Sequence, residues 1–442
     1  MRSHTLIAVQ AFCSFLGFYA LPAGAADEFD NLLQKGRDAY EAADMATAAQ
    51  FYEKACSAEA LKGYPAARVA YCHHQLATVS SAMGRDSEAE QHYLRAIEAW
   101  RPAGNRYMTS WCVSLMNLGD LYRRQHRLPE AEERLQQAAG LARQFEQERP
   151  ELAPETLSRL GVVYLEMSRL EPAASSFRAA LTRFAALVTP APAEEAYAWN
   201  GMGMMQLGSG QQAEAEGSLR RALSLATPVL GESHPETATY QTNLALALIV
   251  VGQFDRANTL LKRAKHVIET RSGASDSRLG LILAELSACA SGEKKLGLAE
   301  EYAQQALAIL NRQPEPNRTA IALARVNLAD VYLKAHRLDD AEAILPGAIA
   351  TERELAPDTR LLADGLRRLA DLRNQQHAWQ KAGELYREAI DIYERRLGAN
   401  SPVLAPALRG YAEALRHFGG SKSEVRIAEA RAKAVAGFAP RS

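Results

Sequence analysis

The chain has 442 residues, 48% hydrophobic, 23% charged and 7% aromatic, a composition that supports a folded core and excludes collagen-like, mucin-like and disordered classes. Its 51 basic and 52 acidic residues leave a formal net charge of -1, so no basic excess argues for nucleic acid or an anionic membrane surface, and nucleic acid is not expected as a partner.

Residues 1–25 fall into three zones: a basic start with Arg2 and His4, an apolar run from Leu6 to Leu21, and the small residues Ala23-Gly24-Ala25 before acidic Asp27 and Glu28. That order predicts a secretory signal peptide over residues 1–25 rather than a membrane anchor, since Gln10, Ser14 and Gly17 interrupt the run and Pro22 ends it. The expectation is an exported protein, periplasmic or extracellular, of a Gram-negative bacterium. Cys13 lacks the small neighbours of a lipidation site. No later window is apolar enough to span a membrane, so no transmembrane segment is expected after signal cleavage.

From residue 26 to 440 one period governs the chain. An Ala followed seven residues later by a second Ala recurs at Ala48, Ala89, Ala131, Ala173, Ala215, Ala257, Ala299, Ala341 and Ala382. Twelve residues before each first Ala stands a small residue: Gly36, Ala77, Gly119, Gly161, Gly203, Ala245, Ser287, Ala329 and Ala370. Four residues after it a large apolar one usually follows, as in Tyr52, Leu135, Phe177 and Tyr386, with Ala303 the exception in the seventh unit. Such spacings fit one stripe on each of two helices and not the period of two that a strand needs. The small residues let two helices approach, and the large one fills the space between neighbouring pairs. Nine clear units result. A tenth, near Ala412 and Leu415, has Glu424 in place of its first marker Ala and reads as a degenerate capping pair. Most prolines fall between units or near helix starts, but Pro346 lies inside a second helix and predicts a kink or a lost hydrogen bond.

The third unit, Leu115-x-x-Leu118-Gly119-x-x-Tyr122 followed by Ala131, Leu135 and Ala138, resembles the tetratricopeptide repeat family, as does Trp199 in the fifth. Linkers such as Leu230-Gly231-Glu232-Ser233-His234-Pro235 resemble those of the long, 42-residue kinesin-light-chain type. The resemblance implies an all-α fold, a right-handed α-solenoid of about ten helix-turn-helix repeats, whose first helices line a concave groove that binds protein. It also implies that an Asn two residues before the small position reaches the backbone of a bound peptide, a place held here by Asn117, Asn243 and Asn327. An amide offers both donor and acceptor, so it can pair with a peptide without reading its sequence; the alternative is that each bonds its own scaffold or solvent. By the same alignment Tyr197, Asn200, Met204 and Leu207 of the fifth unit and Leu246, Ile249 and Val250 of the sixth form an apolar centre, flanked by Arg123 and Arg124 on one side and Arg367, Asp371, Arg409 and Arg416 on the other. Met204 and Leu246 could equally be buried between repeats.

No catalytic motif stands out: His-Glu-x-x-His, a Walker loop, Gly-x-Ser-x-Gly and Cys-x-x-Cys are all missing. Gly201-Met202-Gly203 aligns with the packing position and reads as close helix contact rather than a phosphate loop. His73 and His74 are adjacent and diverge on a helix, so they read as a satisfied pair rather than metal ligands. No cofactor or metal is expected. Cys56 ends one second helix and Cys72 lies in the next first helix, so an antiparallel turn brings them near; they are either bridged or simply buried, and Cys289 is expected to stay a thiol. The leading expectation is a non-catalytic, exported scaffold or adaptor for a protein or peptide. A regulatory receptor for a peptide or small ligand is the rival, and an enzyme with an unrecognised site the third.

Overall fold

The computed structural model of the chain describes residues 28–57, 63–313 and 316–436. The signal-peptide reading of residues 1–25 lies outside them. Among the described residues there are twenty α-helices and no strand. They form ten antiparallel pairs: α1 Glu28–Glu41 with α2 Met45–Ala55, α3 Ala66–Ala82 with α4 Asp86–Trp100, α5 Met108–Arg124 with α6 Leu128–Ala142, α7 Leu152–Glu166 with α8 Leu170–Ala185, and α9 Pro192–Gly208 with α10 Gln212–Leu230. The series continues with α11 Pro235–Val250 and α12 Phe254–Arg271, α13 Ser277–Gly292 and α14 Leu296–Asn311, α15 Arg318–Lys334 and α16 Leu338–Leu355, α17 Arg360–Gln375 and α18 Trp379–Leu397, and α19 Leu404–Phe418 with α20 Lys422–Ala436. The fold is an all-α solenoid. The chain divides into two compact units, residues 1–201 and 202–442, with the division inside α9.

The periodic residues explain the pairing. All eighteen marker alanines are fully buried. The large residue sits over the small one of its own pair: a Cβ added to Gly119 would lie 2.7 Å from Leu135 Cγ, one on Gly161 2.8 Å from the Phe177 ring, and one on Gly203 2.6 Å from Leu219 Cγ. The large side chain therefore fills a hollow within its pair as well as closing the gap to the next one, and its burial contributes roughly 1.5–3 kcal/mol. Gly201 explains its own identity in a different way, since its added Cβ would lie 2.4 Å from the Phe177 ring of the preceding pair. Gly201 and Gly203 are thus contact points on two sides of one helix.

Within each compact unit, a second helix packs on the next first helix, and successive first helices also approach each other. The first helices consequently form the inner face. Side chains of Asp44, His234, Asp276, Asn317 and Thr359 accept hydrogen bonds from the opening turns of their helices, which satisfies donors a helix start leaves open. Pro346 lies within α16, and the helix runs on to Leu355; having no N–H, it leaves the carbonyl one turn back without its usual donor. Pro228, in the last turn of α10, is also accommodated inside a helix.

Candidate peptide-binding site

The polar residues of the inner face mostly satisfy one another across neighbouring pairs. In the first unit, Arg124 of α5 donates to Ser81 Oγ of α3 at 2.6 Å, Arg159 of α7 pairs with Asp120 of α5, and Arg123 reaches Glu166 of α7 at 2.6 Å. In the second unit, Lys334 of α15 meets Ser291 Oγ of α13 at 2.8 Å, Ser291 donates to Asp330 at 2.7 Å, and Arg368 of α17 lies 3.0 Å from Asp330. These ladders hold adjacent first helices in register. They also occupy Arg123 and Arg124, which the sequence places at the edge of a groove.

The asparagines of the expected peptide ladder occupy the same seams. Asn327 Nδ2 donates to the carbonyl of Ala284 in the preceding first helix at 2.9 Å. Asn117 pairs with the phenol of Tyr93, a buried large residue of the preceding pair. Asn243 and Asn200 are half-buried and each has an interaction of its own. Tyr197, half-buried in the first unit, faces the charge of Arg123. Leu246, Ile249 and Met204 are partly buried and pack against the core of the second unit, around Leu244, Leu248 and Leu283. None of the seven predicted site residues lines either of the two cavities described below. The pair Cys56 and Cys72 is joined, with Cα atoms 5.8 Å apart; Cys112 and Cys289 are buried thiols that burial pushes up to about 12.

The larger cavity, about 630 Å³, opens on the inner face of the last three pairs. Its walls come from three first helices: Asp330, Leu333 and Lys334 of α15, Arg367, Asp371, Asn374 and Gln375 of α17, and Pro406, Arg409, Gly410 and Glu413 of α19. Two turn residues, His336 and His377, and the ring of Trp379 complete the rim. Trp379 is stacked on His417 with ring centres 4.2 Å apart. Some charges are spent inside the wall. Arg367 pairs with Asp371 at 2.8 Å, and Tyr386 donates to the same carboxylate at 2.5 Å; burial nonetheless pushes the Asp371 carboxyl up, against the pull of Arg367.

Other groups in this wall remain open. Asn374 is 7% exposed, and its Nδ2 donates to Gly410 O at 3.0 Å and lies 3.3 Å from Tyr386 Oη, while its Oδ1 has no donor. The adjacent Gln375 Oε1 also lacks one. Arg409 and Glu413 are exposed and form no ion pair among the described residues. Two unpaired amide oxygens, one guanidinium, one carboxylate and an aromatic ring make a surface that can accept backbone N–H groups and hold charged side chains. Sequence reasoning named Arg367, Asp371 and Arg409 as flanks and missed Asn374; the i, i+4, i+7 run of Arg367, Asp371 and Asn374 on one helix face was the available signal. The smaller cavity, about 280 Å³, lies in the third pair between Trp111, Leu115 and Gly140, and there Trp111 Nε1 has no acceptor. Among the described residues no cluster of three or more His, Cys, Asp or Glu is arranged to hold a metal.

A family model of the tetratricopeptide repeat matches residues 67–144, 111–186, 194–265 and 361–430, more than half of the chain. The chain belongs to that family. The human clustered mitochondria protein homolog is 25% identical over 216 residues, 48% of this chain and 16% of its own length. Mouse tetratricopeptide repeat protein 19, mitochondrial, is 27% identical over 132 residues, 29% of this chain and 34% of that protein. The chain thus matches well under two thirds of either relative. The apo form of RapI is 15% identical and shares the fold at a TM-score of 0.52, over 64% of this chain and 97% of that one. The relatives overturn the expected Gram-negative periplasmic or extracellular location, because they are eukaryotic proteins named for mitochondria. Family and fold support a protein-interaction scaffold, an architecture that is typically non-catalytic. Among the described residues no helix is long and apolar enough to cross a membrane.

Proposed function

We propose that the chain is a non-catalytic adaptor that binds an extended segment of a protein partner in the cleft of its last three pairs. The observation that carries this reading is Asn374: an amide held by Gly410 and Tyr386, buried in the cleft wall, with its oxygen unpaired. A buried acceptor without a donor costs about 1–3 kcal/mol, and a peptide N–H would remove that cost. Gln375 repeats the arrangement one residue on, and Arg409 and Glu413 offer charges for the peptide's side chains. A second reading places the partner on Asn117, Asn243, Asn327, Tyr197, Asn200, Leu246 and Ile249, and the half-exposed faces of Leu246 and Ile249 favour it. A partner whose binding changes the pitch of the solenoid would make the protein a regulatory receptor rather than a scaffold.

Peptides selected from a random display library, with affinities read by fluorescence anisotropy, separate the two sites. Asn374→Leu should weaken the selected peptides about 5- to 150-fold, the equivalent of losing one buried polar pairing, and Arg409→Glu should change which charges are selected. Asn243→Ala and Ile249→Glu should leave the affinity unchanged. The reverse pattern, in variants that keep their helical circular dichroism, moves the site to the fifth and sixth pairs and removes the cleft from consideration.

A further inference from the structure

A solenoid whose repeats touch only their neighbours has no contact between its fifth pair and its ninth. In the second compact unit there is one. Gly210, in the turn between α9 and α10, lies so close to the end of α18 that a Cβ placed on it would fall 2.7 Å from the carbonyl oxygen of Leu397 and 3.1 Å from its Cα. The approach is backbone to backbone, so no rotamer change could relieve it.

The turn's conformation favours glycine without requiring it. Each pair of the second unit turns through a residue of positive φ, and Lys294 (62°), His336 (57°) and His377 (61°) fill that place without being glycine. Gly252 has nearly the same φ as Gly210, 79° against 78°, and an added Cβ there meets nothing within 4 Å. What sets position 210 apart from 252 is that a side chain there would also meet the backbone of Leu397, four repeats away. Leu397 is itself anchored, 7% exposed in the core formed with Tyr393, Leu404 and Leu408.

We propose that Gly210 and Leu397 form a latch that closes the second unit into one turn and sets its pitch. Releasing it lets the turn widen while the interfaces between neighbouring pairs stay closed, so latched and open states share those interfaces. Such an element has two arrangements that a bound partner can bias. The latch stands apart from the peptide reading, since it needs no ligand.

Hydrogen exchange on the full chain tests it. The amides of Gly398 and Ser401, bonded to Glu394 O and Gly398 O, should exchange several-fold faster in Gly210→Ala than in wild type, although they lie far from the substitution in sequence. Gly252→Ala, with the same backbone strain and no neighbour, should leave them unchanged. Equal effects of the two variants, or none at residues 396–401, would overturn the latch. Should Gly210→Ala fail to fold, a benzophenone amino acid in place of exposed Gln211 probes the same contact: crosslinks to residues 394–400 support it, and crosslinks confined to the fifth pair and its neighbours refute it.

Discussion

Acid should loosen the first unit, and the reason lies in three histidines. His74 is 3% exposed, and its Nδ1 lies 2.8 Å from Ser114 Oγ. That hydroxyl donates to Ser110 O at 3.0 Å and accepts from Trp100 Nε1 at 3.0 Å. With its proton and one lone pair committed, Ser114 is left to accept, so His74 carries its hydrogen on Nδ1. Tyr93 meets the imidazole edge-on, and Thr78 donates to the His74 carbonyl. Burial holds His74 down at about 4. His73 is likewise held at about 4, by burial and by the facing charges of His92 and Arg95, and its Nδ1 lies 3.0 Å from that of His92. Burial and Arg95 also depress His92, against the opposing pull of Glu88.

A histidine whose folded value is depressed adds stability above its unfolded value, near 6.5, and loses it as the pH falls toward the folded one. At pH 5 the unfolded His74 is almost fully protonated while the folded one is mostly neutral. The gap is about 1.5 pH units at about 1.4 kcal/mol each, so His74 alone should cost about 2 kcal/mol between pH 7.5 and 5. Urea unfolding followed by tryptophan fluorescence measures this, with His74→Gln as the reference, since glutamine can donate to Ser114 without titrating. The wild type should lose about 2 kcal/mol more than the variant over that range. Equal losses, or an imidazole that titrates near 6.5 by nuclear magnetic resonance, would refute the reasoning.

Glycine substitutions should divide by what faces them. Gly119→Ala puts a methyl 2.7 Å from Leu135 Cγ and should cost about 1–3 kcal/mol of stability as overpacking. Gly140→Ala, inside α6 with nothing within 4 Å of the new methyl, should stabilise by about 0.5–1 kcal/mol by removing backbone freedom from the unfolded chain; melting midpoints decide both. The Cys56–Cys72 bridge closes a loop with a sequence separation of 16, which in the chain-entropy account is worth about 3 kcal/mol. Cys72→Ala should lower the first unit's stability by that amount, and identical peptide maps with and without reductant would show that no bridge forms.

The fold was legible because its signal is packing. The spacing of small and large residues states which helix faces touch, and the Gly119–Leu135 and Gly203–Leu219 contacts realise that spacing directly. The site was less legible because polar residues on the inner face are sorted by partners some forty positions away. Asn327 looks identical on paper whether it meets a peptide or the Ala284 carbonyl. Leu246 and Ile249 read as groove residues, yet they lean on the core around Leu283. Gly210 carries no sequence signal at all, since its neighbour is four repeats distant.

One regularity does connect sequence to site. Asn117, Asp120, Tyr122 and Arg127 of the third pair reappear with the same mutual spacing as Asn327, Asp330, Tyr332 and Arg337 of the eighth. The contacts recur with them. Arg127 lies 2.8 Å from Glu90 and 4.1 Å from the Tyr122 ring, and Arg337 lies 2.9 Å from Glu300 and 4.3 Å from the Tyr332 ring. Each unit therefore carries a stretch of first helices joined by the same exchange of serine, aspartate and base, and inside such a stretch the inner-face charges are committed to the scaffold. In the second unit the exchange runs from Ser291 through Asp330 to Arg368 and goes no further. Beyond it stand Asn374 and Gln375 with open oxygens, then Arg409 and Glu413 without ion pairs among the described residues. Capacity to bind accumulates where the ladder ends, which favours the cleft at the last three pairs over the apolar centre of the chain.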